Sequence, residues 1–185
     1  MSDQGTAYIE QAFRWAHEGD PKALLFYHEA EGDTLNRKSE AIYAMVRDFK
    51  NRGVPIDGVG LQLDLPRLAY DTGAIAANLE RLTKLGLQVH ITELDVALPV
   101  DPQGAPRPED LQRQADAYPR VVRACLQNPG CTAIQTWGFT DKYSWIGSHS
   151  YGTQGAGLLF DRAYKPKPAY DAMLKELATG RTLTH

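Results

Sequence analysis

Apolar positions recur along this chain in two alternating rhythms. Tyr8-Ile9, Ala12-Phe13 and Ala16 repeat at helical spacing, and Asp20-Pro21 stops that helix. Ala23-Leu24-Leu25-Phe26-Tyr27 then forms a continuous apolar run of strand length, followed by turn residues. Asn36 to Arg52 returns to the helical period, with Ala41-Ile42, Met45-Val46 and Phe49 on one face and Arg52-Gly53-Val54-Pro55 at its end. Val59 to Leu63 predicts a second strand. Thr72 to Leu85 predicts a helix that turns Ile75, Leu79 and Leu82 inward and stops at Gly86. Gln88 to Thr92 predicts a third strand, with Glu93 directly after it. A proline-rich loop from Pro99 to Pro108 leads to a helix over Leu111 to Leu126, where Pro119 predicts a kink or break. Thr132 to Trp137 predicts a fourth strand. A Gly- and Ser-rich loop runs to Gly157, Leu158 to Asp161 is a short extended piece, and Pro168 to Leu177 is a last helix.

About four strands thus alternate with about five helices, with no break in composition, which predicts one domain over 1–185. Strands joined through helices run parallel with right-handed crossovers. The fold class is α/β: an open doubly wound sheet or part of a (β/α)-barrel. No glycine-rich phosphate loop follows any strand, which argues against a nucleotide fold. With 185 residues, 43% of them hydrophobic, the chain is long enough to bury roughly 70% of its unfolded surface. The net charge of -3 offers no basic excess for phosphates, so no nucleic-acid partner is expected. No apolar stretch approaches the roughly 20 residues of a membrane helix, and the first six residues have neither the charged nor the apolar region of a secretory leader. Cys125 and Cys131 flank an Asn128-Pro129-Gly130 turn. They are either bridged across it or two reduced thiols, one on a helix and one opening a strand. Two cysteines fall short of the four ligands zinc usually takes, and no metal or cofactor is expected.

In such folds the chemistry sits at the C-terminal strand ends. These read His28-Glu29-Ala30-Glu31, Gln62-Leu63-Asp64, Thr92-Glu93-Leu94-Asp95 and Trp137-Gly138-Phe139-Thr140-Asp141, with Trp145 soon after. Every end carries an acid or an indole. Carboxylates supply glycosidic acid–base and nucleophilic chemistry, and flat indoles stack on pyranose rings. Each residue also has a plainer reading. Asp95 and Glu31 can cap a following helix, Trp15 belongs to a core-facing helical stripe, Trp137 can fill the interior, His90 packs inside a strand, and His149 faces solvent. Glu93 resists such a reading, because nothing in a strand's backbone ladder calls for an acid there.

These motifs, in order, resemble glycoside hydrolase family 10, the endo-1,4-β-xylanases. The matching segments are Val54 to Gln62, Ile91-Thr92-Glu93-Leu94-Asp95, Thr136 to Trp145, Leu158-Leu159-Phe160-Asp161, and Lys165-Pro166-Lys167-Pro168-Ala169-Tyr170. The resemblance implies an eight-stranded (β/α)-barrel of which this chain resembles strands five to eight, a partial TIM-type barrel. It implies Glu93 as the nucleophile of a retaining mechanism, Gln62 as a polar group beside it, and Trp137 and Trp145 as the walls around the bound sugar. Cys125 and Cys131 match a pair often bridged in the family.

The departures carry as much information. The family's acid/base lies in a Trp-x-x-x-Asn-Glu segment that does not occur in these 185 residues. Two positions after Gln62 the family usually has a histidine, where this chain has Asp64; after strand five it usually has an asparagine, where this chain has His28. Asp64 close to Glu93 would share its site as a like charge and be raised in pKa, a makeshift acid. Four parallel strands from a closed barrel would leave two unpaired edges and an uncovered apolar face. The expected partners are therefore xylan or xylo-oligosaccharides and a second copy of the chain, a homodimer or higher oligomer completing the barrel with Asp141 near the place of the acid/base. The alternatives are a non-catalytic xylo-oligosaccharide-binding relic and another enzyme class, such as an esterase, for which Ser144, His149 and Ser150 share one loop.

Overall fold

The structure, a computed structural model, describes residues 5–65 and 70–180. In chain order its elements are α1 (Ala7–Gly19), β1 (Phe26–Glu29), α2 (Arg37–Asn51), β2 (Gly58–Leu61), β3 (Asp64–Leu65), α3 (Thr72–Thr83) and β4 (Gln88–Val96), then β5 (Leu98–Pro99), α4 (Pro108–Leu126), β6 (Cys131–Thr136), α5 (Ile146–His149), β7 (Gln154–Gly155) and α6 (Pro168–Gly180). The strands β1, β2, β4 and β6 lie side by side in that order, all parallel. The short β3 extends the sheet beside the far end of β4, pairing Asp64 with Asp95. Among the described residues β1 pairs only with β2 and β6 only with β4, so both are edges. No described helix is long and apolar enough to cross a membrane.

One face of this sheet makes the core. Val59 and Leu61 of β2 and Val89 and Ile91 of β4 point at the helices and are fully buried with Val46, Phe49, Ile75, Leu79, Tyr118 and Val121. Helix α2 shows why these segments fold locally. Asn36 accepts the amides of Lys38 and Ser39, the Ser39 hydroxyl takes the Asn36 amide, and Ile42, Met45, Val46 and Phe49 then fall on one buried stripe. Phe13 of α1 meets Phe49 edge-on at 6.2 Å.

The other face is not the apolar surface expected of an opened barrel. By strand alternation it carries Phe26 and His28, Gly58 and Gly60, and Gln88, His90 and Thr92. The glycines explain the difference. A Cβ on Gly58 would lie 2.7 Å from the Gln88 carbonyl oxygen and against the Phe26 ring. Because it has none, Phe26 lies across β2 and stacks on His90 at 4.1 Å.

Several boundaries also differ from the sequence expectation. Strand β1 starts at Phe26 rather than Ala23, because Leu25 is taken up by Asp57, its amide donating to the carboxylate at 2.7 Å. Strand β4 runs on to Val96, so Glu93 lies within a strand rather than after one. Helix α4 begins at Pro108 and continues through Pro119 as one helix. Trp15, expected in the core, is 64% exposed. The loop before Gly157 contains α5 and β7, which pairs antiparallel with β5. Cys125 and Cys131 are bridged, tying the end of α4 to the start of β6.

Candidate active site

The site is built where β1, β2, β4 and β6 end. Opposite β6, β4 shifts register, with Ile91 paired to Ile134 but Leu94 to Thr136, three steps against two. Strict alternation would send Thr92 and Glu93 to opposite faces; the irregularity lets both reach one imidazole. His28 Nε2 lies 2.7 Å from Thr92 Oγ1 and 3.3 Å from Glu93 Oε1. Glu93 is only 8% exposed. His28 reaches it across Gly60, where a Cβ would stand 2.9 Å from His28 Cδ2 and 3.0 Å from Thr92 Cγ2.

Two further acids crowd this point. Asp64 is half-buried and its Oδ1 is buried without a hydrogen-bond partner. Burial, then the charges of Glu93 and Asp33, push its carboxyl up to about 6, with His149 opposing. The like-charge effect expected from the sequence is present, but burial is the larger cause. Asp95, 1% exposed, accepts the Trp145 Nε1–H at its Oδ2 (2.9 Å). Burial raises it to about 7; the Trp145 hydrogen bond opposes this, and Asp64, Glu93 and Asp141 add to it. The sequence left Asp95 open between a helix cap and one of the strand-end acids; here it is the acceptor that holds Trp145.

Trp145 sits at the start of α5 with the His149 ring 4.8 Å away. Trp137 follows Thr136, the β6 residue paired with Leu94, and is 51% exposed. The chain then turns at Gly138, whose φ of +124° suits only glycine. Gln62 follows β2 half-buried, its backbone N–H donating to the Glu29 carbonyl at 3.3 Å; among the described residues no hydrogen bond joins its side chain to Glu93. Asp141 is placed differently from the open rim expected of it. Its Oδ1 accepts the Leu158 amide at 2.8 Å and its Oδ2 pairs with Lys167 Nζ at 2.8 Å, both side chains buried. Burial raises the Asp141 carboxyl and lowers the Lys167 ammonium, with their mutual attraction opposing both. Ser144 accepts from the Ile146 amide, and Ser150 bonds only backbone of Gly147 and Gln154. Among the described residues no serine meets a histidine as a nucleophile–base pair would, and no group of three or more His, Cys, Asp or Glu is arranged to hold a metal ion.

Glu93 is thus a nearly buried carboxylate in contact with His28, two positions from the acid that anchors the Trp145 indole, and a carboxylate is the group that attacks a sugar's anomeric carbon in retaining glycosidases. The chain is 43% identical over 169 residues to endo-1,4-beta-xylanase B of Thermotoga neapolitana, matching 91% of this chain and 48% of that protein. Native xylanase 10B from Thermotoga maritima superposes with a TM-score of 0.88 at 43% identity, over 95% of this chain and 53% of that one. Xylanase 10B from Thermotoga petrophila, solved in complex with xylobiose, gives 0.89 at 42% identity, over 95% and 52%. The chain therefore spans about half the length of the relatives it matches, and its parallel sheet with flanking helices is about half of their TIM barrel. The sequence pattern of Glycosyl hydrolase family 10 fits residues 1–176, nearly the whole chain, and with the strand-end residues in the order this fold requires, the chain belongs to that family.

Proposed function

We propose that this chain acts on β-1,4-xylan or xylo-oligosaccharides as the nucleophile-bearing part of an endo-1,4-β-xylanase site. Glu93 attacks the anomeric carbon, and Trp145 and Trp137 wall the sugar next to the cleaved bond. The observation that supports this most directly is Glu93 within ion-pair distance of His28, two residues from the Asp95 that anchors Trp145. The xylobiose bound by the Thermotoga petrophila relative points to the same ligand class.

A retaining mechanism needs a second carboxyl about 5–5.5 Å from the first. Asp64, with a buried unpartnered oxygen and a pKa raised to about 6, is the candidate within this chain. The edges of β1 and β6, unpaired among the described residues, favour a second copy as the partner that closes the barrel. Asp141 supplies no acid to it, being engaged by Lys167 and Leu158.

The test is reducing-sugar release from xylan by the chain and by Glu93→Gln, with sedimentation of the same samples. Release that disappears in Glu93→Gln, from a dimer, is the expected result. Xylo-oligosaccharide binding with no release by either protein would replace this reading with the non-catalytic one. A stable monomer would remove the second copy.

A further inference from the structure

We propose that His28 is the positioning residue for Glu93, holding one carboxylate oxygen so that the other is aimed at the sugar, and that Gly60 exists at its position to let the imidazole through. The inference rests on the reading of Glu93 as nucleophile and adds the residue that orients it. Three observations carry it.

The first is the contact itself. His28 Nε2 lies 3.3 Å from Glu93 Oε1 and 2.7 Å from Thr92 Oγ1. In the tautomer with the proton on Nε2, the ring N–H donates to Thr92 Oγ1 and turns its edge toward Glu93 Oε1, whereas a bare nitrogen lone pair there would be repelled by the carboxylate. The hydroxyl fixes the ring's rotation, and the N–H edge then faces Oε1.

The second is the path. β1 and β4 are not neighbours; β2 lies between them, with His28, Gly60 and His90 in register. Any side chain at Gly60 would begin 2.9 Å from His28 Cδ2 and 3.0 Å from Thr92 Cγ2, inside normal contact. The imidazole crosses only because that residue has no Cβ.

The third is the local charge. Asp64 and Asp95 stand close enough to Glu93 for the three charges to act on one another. Among the described residues His28 is the only cation-capable side chain in ion-pair contact with Glu93. Without it, Glu93 is a buried acid among acids, with no side chain in contact to hold its rotamer.

The experiment uses an aryl β-xylobioside with a dinitrophenolate leaving group, fluorinated beside the anomeric carbon so that the glycosyl ester accumulates. A Glu93 oxygen forms the bond to the anomeric carbon. The bond to the aryl oxygen breaks, and dinitrophenolate leaves with the electron pair, so no proton donor is needed. Mass spectrometry reads the label on Glu93. In His28→Ala and in Gly60→Ala the saturating labelling rate is expected to fall about 10- to 100-fold, with the half-saturating concentration changed less than about 3-fold. His28→Gln, which restores an N–H donor, recovers most of the rate. A raised half-saturating concentration at unchanged rate would overturn the proposal and make His28 a sugar contact. Nitrogen-15 spectra of the imidazole form the independent arm. The His28 Nε2 signal is expected to move in Glu93→Gln and to stay in the distant Glu176→Gln. A signal blind to Glu93 overturns the proposal whether or not the protein takes the label. No label on the parent protein, together with a responsive imidazole, fails the hydrolase reading alone.

Discussion

Asp95→Asn separates what this acid does by its charge from what it does by its hydrogen bond. The carboxyl lies in a site where burial lifts it from an ordinary 3.8 to about 7. Each tenfold change in ionisation is about 1.4 kcal/mol, so the charged form costs the fold about 4 kcal/mol relative to the unfolded chain. The sign follows from proton binding. Below pH 3.8 both states hold the proton and no penalty exists. Between 3.8 and about 7 the folded state keeps a proton that the unfolded chain releases, and stability declines with rising pH. Above about 7 both are ionised and the full cost is present. Asparagine keeps an oxygen for the Trp145 indole and cannot ionise. It also adds amide hydrogens whose burial costs about 1–3 kcal/mol if unmatched, but that cost does not depend on pH.

The assay is urea unfolding of parent and Asp95→Asn at intervals from pH 3.5 to 8. The parent should lose about 4 kcal/mol relative to the variant over that range, with the change centred between pH 4 and 7. Asp64 titrates nearby and interacts with Asp95, so the difference curve will be broadened rather than a single step. A parallel series in the Asp64→Asn background should sharpen it. A parent-minus-variant difference that stays level within about 1 kcal/mol from pH 4 to 8 would refute the account of Asp95 as a neutral acid held in the fold.

Three further outcomes are expected. Cys125→Ser/Cys131→Ser opens a bridge across six positions, and the loop-entropy relation gives a loss of about 2 kcal/mol, read by urea midpoint, with no change under reductant in the variant. Lys167→Met strands the buried Asp141 carboxylate and should cost about 3–5 kcal/mol, most of which Lys167→Met/Asp141→Leu recovers; equal losses in single and double variants would mean that the pair's charge is not what matters. Gly58→Ala drives a methyl onto the Gln88 carbonyl and the Phe26 ring and should cost about 1–3 kcal/mol. A loss under 0.5 kcal/mol, against an accuracy of a few tenths in thermal or urea unfolding, would show that Phe26 leaves His90 freely.

The parts of this fold that were legible in the sequence depend on one element at a time. The stripe Ile42, Met45, Val46 and Phe49 and the run from Val59 to Leu61 declare their period without knowing their neighbours. Gly86 ends its helix with φ +75°, as a glycine stop should. The parts that were not legible depend on two or more elements. The register slip between Ile91 and Leu94 exists only against β6. The reach of His28 to Glu93 exists only because β2 contributes Gly60 between them. Asp95 looks like a cap in one dimension because its partner, Trp145, is fifty positions away. Trp15 lies two positions from Phe13 and so projects from the opposite side of α1, away from the one buried position of that helix.

The backbone of the site is fastened from the helix side of the sheet. Gln114 of α4, itself fully buried, donates to the carbonyls of Val96 and Ala156, both at 2.7 Å. Tyr118, one turn on, donates its hydroxyl to Gly157 at 2.6 Å. Lys167, just before α6, donates to Ala156 at 2.6 Å while it holds Asp141. These bonds fasten the end of β4, which carries Glu93 and Asp95, and the segment that closes the Trp145 loop, onto one helix layer. Buried carbonyls with donors of this kind do not move without leaving a polar group unpaired. The backbone under Glu93 and the indole that Asp95 anchors are therefore fixed relative to each other by contacts within this chain. What lies against the open face governs the rest of the cleft and the Glu93 side chain, while the backbone that carries Glu93, Asp95 and Trp145 is held from behind.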